Sequence, residues 1–386
     1  MGHIYLDHTA TTPLDPRVLD AMQPYFNDLY GNASSVHWHG RQAKGALEKS
    51  RETLASLLGA SAGEIVFTSG GTESNNFALR GVARPLALKG RNHIVTSRAE
   101  HHAVLEPCEA LEKEGIEVTY LGVDQYGSVS SSQILAVCKP TTSLVSIMHA
   151  NNEVGTISPV REIVDVLHPR EILVHTDAVQ SFGKIPVNVH ELGVDLLTIS
   201  GHKIYGPKGV GALYVRKGTE INPLLHGGGQ ERGKRPGTEN VAFAVGLAEA
   251  ARLSCQDREE EAKRLEQLRG ELEKRISEKI SGVIFNGHPT ERLPHILNIS
   301  FDSSKHRIEG EMLVMNMDLH GISVTSGSAC TSGSMQPSHV LLAMGRDTAT
   351  AKATLRFSFG HANKTEDVQR VFEELQSVLR EMTKKN

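Results

Sequence analysis

The chain has 386 residues, 39% of them hydrophobic and 22% charged, and its formal net charge is −4. This length suggests about two domains, and the composition is that of a soluble globular protein. The small net charge gives no support to binding of nucleic acid or of an anionic membrane surface. No apolar run reaches the roughly 20 residues of a membrane span, and the N-terminus has no signal-peptide pattern. We therefore expect a cytoplasmic protein.

The four cysteines, Cys108, Cys138, Cys255 and Cys330, are far apart and form no CxxC pair. This spacing argues against a disulfide framework and against a local zinc site. The default interpretation of a free cysteine is a small buried hydrophobe. Cys330 differs because it lies in a run of small residues, 325–334, that cannot bury itself. That context predicts an accessible thiol able to act as a nucleophile.

Short apolar runs alternate with helical stretches between about residues 60 and 215. The strand-like runs are 64–68, 93–96, 118–121, 144–148, 172–175, 195–199 and 211–215. This alternation predicts a mostly parallel sheet covered on both faces, in which ligands lie beyond the carboxyl ends of the strands. A charged helix near 257–281 then precedes strand-like and helical runs at 296–301, 310–319, 354–359 and 366–382, which predict a smaller α+β domain.

Polar and glycine residues follow four of the predicted strands, and their types match what pyridoxal phosphate (PLP) requires. PLP needs a lysine amine for its Schiff base, an acid opposite the pyridine nitrogen and a cradle for its phosphate. We predict Lys203 as the Schiff-base lysine and Asp177 as the pyridinium partner. Gln180 and Asn152 are expected to bond the phenolic oxygen. The expected phosphate ligands are Gly71, Thr72, Ser200 and His202, the first two at a helix start that favours an anion.

Each of these residues has an ordinary alternative when taken alone. A single lysine is usually a solvated surface charge, and an aspartate after a strand is more often a turn or helix cap. The joint placement at four strand ends is what favours a cofactor site. A nicotinamide-dependent dehydrogenase is disfavoured, because no GxGxxG motif opens any strand–helix unit.

Motifs spread over nearly the whole chain resemble those of cysteine desulfurases of the NifS/IscS type, in the class V aminotransferase family of PLP enzymes. They are Tyr5-Leu6-Asp7, Phe67–Asn75, Glu100-His101, Asn151–Gly155, Ser200–Gly209, His226–Arg232, Pro236–Asn240 and Ser326–Ser332. The resemblance implies the α/β fold of aspartate aminotransferase, with a mostly parallel seven-stranded sheet in a large PLP-binding domain at 15–257. A smaller α+β domain, formed by 1–14 and 258–386, would carry the Cys330 loop.

The resemblance also implies roles for individual residues. His101 would stack on the pyridine ring and handle protons. Because a free cysteine has a pKa of about 8.5, either a local lowering of the pKa of Cys330 or transfer of its proton to His101 is also expected. Arg356 would bind the carboxylate of L-cysteine, with Asn152 beside it. Thr238 would reach the phosphate of the neighbouring subunit, which implies a homodimer. Without the resemblance, His101 could be a helix-start histidine, Thr238 part of a turn, and Arg356 a surface charge.

The implied reaction moves the sulfur of L-cysteine onto Cys330 as a persulfide and releases alanine. No intrinsic metal is implied, and Cys330 is the residue that would contact a transient iron–sulfur cluster. The expected sulfur recipient is an iron–sulfur scaffold protein, with tRNA thiolation or another acceptor pathway left open.

Other functions remain as alternatives. An aminotransferase or a selenocysteine lyase on the same fold would not need Cys330. A non-catalytic assembly subunit is disfavoured by the intact Lys203, Asp177 and Cys330.

Overall fold

The structure, a computed structural model, describes residues 2–306, 308–327 and 336–384. Cys330 lies outside the described residues. The described strands are β1 (Ile4–Tyr5), β2 (Ile65–Thr68), β3 (His93–Ser97), β4 (Glu117–Leu121), β5 (Thr142–Ser146), β6 (Leu173–Asp177), β7 (Leu196–Ser200), β8 (Gly211–Val215), β9 (Val283–Asn286), β10 (Ile296–Phe301), β11 (Ile322–Ser323) and β12 (Thr354–Ser358).

Helices surround these strands in the part of the chain that the structure describes. They are α1 (Pro16–Met22), α2 (Pro24–Asn27), α3 (Trp38–Leu58), α4 (Gly71–Ala87), α5 (His102–Lys113), α6 (Ser131–Val137), α7 (Val160–Leu167), α8 (Val189–Leu192), α9 (Val241–Gln256), α10 (Arg258–Lys279), α11 (Gly310–Leu319), α12 (His339–Ala343), α13 (Thr348–Lys352) and α14 (Thr365–Lys384). Among the described residues, no helix combines the length and the apolarity needed to cross a membrane.

The main sheet has seven strands in the order β2-β8-β7-β6-β5-β3-β4. β8 pairs antiparallel with β2 and β7, and the other neighbouring strands are parallel. Most of its strands are buried along their whole length, as expected when helices cover both faces of a sheet. The predicted α/β fold with a mostly parallel seven-stranded sheet is confirmed.

A second, smaller core lies in the C-terminal part of the chain. β12, β10 and β9 form a three-stranded antiparallel sheet, against which apolar residues of α10, α11 and α14 pack. β1 pairs in parallel with β11, and Ile4 and Leu6 belong to this second hydrophobic cluster. The N-terminus therefore packs with the C-terminal region, while the predicted domain boundaries at 14/15 and 257/258 stay a prediction.

Candidate active site

A cavity of about 420 Å³ lies at the carboxyl ends of the parallel strands. Ten of the predicted site residues line it: Gly71, Thr72, His101, Asn152, Asp177, Gln180, Ser200, His202, Lys203 and Arg356. The strands β2, β6 and β7 end at this edge, so residues far apart in sequence meet there because parallel strands share one direction. The predicted site residue Thr238 is exposed and is not among the lining residues, and Cys330 lies outside the described residues.

Lys203 follows β7 in the single turn Gly201–Lys203, and its side chain is half-buried. Its amine donates hydrogen bonds to the carbonyl oxygens of Thr9 and Ala10, the latter at 2.7 Å. Burial lowers the pKa of Lys203 to about 8, the nearby positive charge of Arg356 acts in the same direction, and Asp7 and Asp177 oppose the shift. A lysine with this pKa is partly neutral near pH 7, as a nucleophilic or basic amine requires.

Asp177 ends β6 and is held by two donors. Its Oδ2 accepts a 2.6 Å hydrogen bond from Nδ2 of Asn75, and its Oδ1 accepts one of 2.9 Å from the backbone N–H of Val179. Asn75 is fully buried in α4. Sequence reasoning gave Asn75 no role, although it ends one of the recognised motifs. These two hydrogen bonds hold the carboxyl group of Asp177 in one orientation.

The first turn of α4 faces the same cavity. Its cap residue Gly70 has φ 152°, and a Cβ added to Gly71 would lie 2.9 Å from a methyl group of Val179. Glycine is therefore required for this close approach. Because the first backbone N–H groups of a helix lack intrahelical acceptors, the turn beginning at Gly71 and Thr72 can receive an anion.

The imidazole of His101 has a defined tautomer. Its Nδ1 accepts a 3.0 Å hydrogen bond from the backbone N–H of Ala103, which caps α5. Desolvation by the surrounding protein lowers the pKa of His101, so the neutral ring carries its proton on Nε2. Whether His101 takes the proton of the Cys330 thiol therefore stays a prediction. In this state His101 is a donor at Nε2.

Two further predicted residues make bonds within the protein. Gln180 donates from Nε2 to the carbonyl oxygen of Thr9 at 2.9 Å, so its bond to a cofactor oxygen stays a prediction. His202 Nδ1 lies 3.2 Å from Oγ1 of Thr11, and burial lowers the pKa of His202 to about 4. A neutral His202 can offer an N–H to an anion without adding a second charge beside Lys203.

Arg356 lies on β12 and is 5% exposed. Its guanidinium donates to Oδ1 of Asp7 and to the carbonyl oxygen of Asn152, both at 2.9 Å. Asp7 is a second residue to which sequence reasoning gave no role. The backbone of Arg356 also bridges to Thr325, and both Thr325 and Gly327 line the cavity. The stretch that leads toward Cys330 thus begins beside Arg356.

None of the other three cysteines, all of which the structure describes, lines this cavity. Cys108 is fully buried, and burial raises its pKa to about 12. Burial likewise raises the pKa of Cys138 and Cys255. Across the described ranges, no group of three or more metal-ligating side chains is found.

The fold and this cavity define an α/β protein with a lysine–aspartate site at the strand ends of a mostly parallel sheet. The profile of the family "Aminotransferase class-V" matches residues 4–371, and the chain belongs to that family. It is 48% identical to "Cysteine desulfurase IscS" of Dictyoglomus turgidum, over 98% of this chain and 95% of the relative. It is 46% identical to the protein of the same name from Methanosarcina thermophila, over 98% and 92%. A solved "NifS-like protein" superposes with a TM-score of 0.91 at 40% identity, covering 98% of this chain and 99% of that one.

Proposed function

We propose that this protein is a PLP-dependent cysteine desulfurase that converts L-cysteine to L-alanine and keeps the sulfur as a persulfide on Cys330. One observation supports it most. Thr325 and Gly327, which shortly precede Cys330 in the sequence, line the same cavity as Lys203, Asp177 and Arg356. An aminotransferase needs no cysteine that follows such residues, so their position favours sulfur transfer.

The donor set fits PLP. Lys203 would hold the aldehyde carbon, and Asp177, fixed by Asn75, would accept from the pyridine nitrogen. The N–H groups at the start of α4 would bind the phosphate together with Thr72, Ser200 and His202. When bound, PLP supplies an electron sink for charge left on the substrate α-carbon.

Three residues of the protein would each have a separate role in the reaction. Arg356 is already oriented by Asp7 and would bind the substrate carboxylate through its guanidinium. Lys203, whose pKa is about 8, is suited to moving the α-proton near neutral pH. His101, as the neutral Nε2–H tautomer, is suited to donating a hydrogen bond from Nε2, and the ammonium that Lys203 becomes on taking the α-proton is suited to supplying the proton of the alanine methyl group.

Cys330 would attack the substrate sulfur as a thiolate. The carbon–sulfur bond of cysteine breaks, a sulfur–sulfur bond forms on Cys330, and the carbon gains a proton to give alanine. Cysteine and the enzyme thiol are thus converted to alanine and the enzyme persulfide with no external oxidant. A protein-bound persulfide requires a compartment in which thiols stay reduced, which supports a cytoplasmic location.

The test is Cys330→Ala, with Cys255→Ala as the matched control. We expect Cys330→Ala to bind PLP and to exchange the α-proton of cysteine with solvent, because Lys203, Asp177 and Arg356 are unchanged. Alanine production should fall by about 100-fold or more, as loss of a covalent nucleophile typically costs. The mass increase of one sulfur atom after addition of cysteine should disappear, whereas Cys255→Ala should keep it.

Near-normal alanine production by Cys330→Ala would contradict the desulfurase mechanism and favour a lyase that uses no protein thiol. Strong activity on selenocysteine with weak activity on cysteine would favour a selenocysteine lyase.

The assignment of Thr238 requires a homodimer. Thr238 is exposed and lies away from the cavity of its own chain, which supports a role at the phosphate of a neighbouring subunit. Mixing inactive Lys203→Ala with inactive Thr238→Ala chains should recover part of the activity once subunits exchange. No recovery despite proven exchange would contradict this role.

The proposed sulfur recipient is an iron–sulfur scaffold protein, with a tRNA-thiolating or other acceptor as the alternative. Capture of proteins that receive labelled sulfur from the Cys330 persulfide in native extract would distinguish them.

A further inference from the structure

Glu153 is a buried acid beside the proposed active site that the reaction described above does not use. It follows Asn152 and is only 2% exposed. In the described part of the chain, no lysine, arginine or histidine forms a salt bridge with it. Burial raises the pKa of Glu153 to about 7, although the Ser338 hydroxyl, Arg356 and His102 each act to lower it. A buried carboxyl group without an ion-pair partner is costly, so its contacts are informative.

Those contacts lie on both sides of residues 328–335, here called the Cys330 segment. Gly327 directly precedes this segment and Ser338 follows it by three residues, and these two residues are called its flanks. Ser338 donates from Oγ to Oε2 of Glu153 at 2.5 Å, and the same Oγ accepts from the backbone N–H of Leu341 at 3.1 Å, which caps α12. A Cβ added to Gly327 would lie 2.8 Å from the same Oε2. One carboxyl oxygen therefore bonds to Ser338 and lies close to Gly327.

The same residues are connected to the proposed substrate site. Arg356 donates from Nη1 to the carbonyl oxygen of Asn152, which is the peptide oxygen preceding Glu153. The backbone N–H of Arg356 donates to the carbonyl oxygen of Thr325 at 2.6 Å. The arginine, the acid and both flanks thus form one continuous set of contacts.

We propose that Glu153 is a positioning residue that holds both flanks of the Cys330 segment against the cavity, so that sulfur transfer to Cys330 depends on it. This inference rests on the proposed desulfurase function. Glu153 does not touch the substrate in this role, and it takes no part in cofactor binding or in α-proton removal. Its loss should therefore separate the two halves of the reaction.

The experiment compares the holoenzyme variants Glu153→Leu, Ser338→Ala and Ser338→Thr with wild type. Leucine keeps the approximate size of glutamate but accepts no hydrogen bond, and threonine restores the hydroxyl. The matched control is Ser130→Ala, which removes the serine that caps α6 by accepting from the N–H of Gln133, a cap that does not involve Glu153. Exchange of the cysteine α-proton with solvent reports the first half-reaction. The rate of persulfide formation, followed by mass, reports the second.

We expect Glu153→Leu and Ser338→Ala to exchange the α-proton at wild-type rate and to form persulfide about tenfold or more slowly, because small misplacements of reacting groups carry penalties of this size. The double variant should lose no more than either single variant, and Ser338→Thr should recover most of the rate. Ser130→Ala should change neither half-reaction.

Wild-type persulfide formation by Glu153→Leu would overturn the proposal. An equal fall in both half-reactions, with loss of bound PLP, would also overturn it, because it would make Glu153 a residue of the general fold. Absence of persulfide in wild type would instead refute the proposed function, so the wild-type sample distinguishes the two failures.

Discussion

Asn75 and Asp177 are joined by a 2.6 Å hydrogen bond between side chains that lie 102 residues apart in the sequence. The bond fixes the end of β6 to α4 and leaves Asp177 with its second oxygen on the N–H of Val179. An aspartate that must face a pyridine nitrogen has to be held in one orientation. The amide of Asn75 provides this orientation.

Replacing Asn75 by alanine should weaken PLP binding. Loss of one hydrogen bond to a charged group costs about 1.5–3 kcal/mol, so affinity should fall by about tenfold or more. Absorbance titration of the apoenzyme with PLP measures it. Asn76→Ala is the control, since Asn76 bonds to a carbonyl oxygen within its own helix. Equal affinity in Asn75→Ala and wild type would show that the bond does not serve the cofactor.

The pKa of about 8 for Lys203 predicts the pH dependence of cofactor loading. Only the neutral amine reacts with an aldehyde, so the rate of apoenzyme reconstitution should rise with pH and level off above about 8. Stopped-flow absorbance after mixing with PLP measures this rate. Borohydride should then fix the cofactor on Lys203, and Lys208→Ala should behave as wild type. A rate that keeps rising toward the ordinary lysine value of 10.5 would contradict the assignment.

The raised pKa of the buried Glu100 predicts that the free energy of unfolding depends on pH. It is fully buried, its Oε1 accepts from Ser97 Oγ and from the N–H of Met148, and burial raises its pKa from 4.5 to about 8. Between these pH values the folded protein keeps a proton that the unfolded chain releases. This group therefore lowers stability as pH rises through the window, by at most about 1.4 kcal/mol per pH unit.

The variant Glu100→Gln cannot ionise and should lack this loss. The midpoint of thermal unfolding, measured for both proteins from pH 5 to 8, should shift progressively in favour of Glu100→Gln. Glu106→Gln, at an exposed position on α5, is the control. Parallel curves for Glu100→Gln and wild type would mean that Glu100 is ionised throughout.

A buried ion pair anchors the stretch that leads to Thr238. Arg51 donates two 2.7 Å hydrogen bonds to the carboxylate of Glu231, both side chains are 3% exposed, and Glu231 also accepts from the N–H of Phe67. Glu231 and Arg232 adopt positive φ angles of 47° and 58°, which are unfavourable for these residue types. The ion pair therefore offsets local backbone strain.

Arg51→Met should destabilise the protein by about 3–5 kcal/mol, because it leaves a buried carboxylate without its cation. Arg252→Met, which breaks an exposed pair with Glu249, should cost less than about 1 kcal/mol. Urea unfolding followed by circular dichroism measures both. The double variant Arg51→Met with Glu231→Met should regain part of the loss. An Arg51→Met cost as small as that of Arg252→Met would show that the pair does not anchor this stretch.

Sequence patterns predicted the elements of the sheet well because each of its strands contains a short run rich in apolar residues. The sequence predicts helices over 160–167 and 75–82. Helix α7 and strand β8 have the predicted bounds, and α4 begins four residues before residue 75 because its first turn is polar. No prediction was made for α3, whose buried face includes glycine, serine and Arg51 and so lacks a clear apolar period. The sequence of α9 does not show a helical pattern either. Half of its buried residues are alanine, and the buried residues surround the helix, which removes the contrast between two faces.

The residue types of the candidate site were determined by the sequence alone. Lys203, Asp177 and Arg356 could be named because strand ends and recognisable motifs mark their positions. Only the tertiary structure decided which side chains orient them. Asn75 bonds to Asp177, and Asp7 bonds to Arg356. Glu153 bonds to Ser338 and lies close to Gly327. The physical reason is that a pKa or a hydrogen bond depends on the atoms within a few ångströms, and folding brings those atoms from distant parts of the chain.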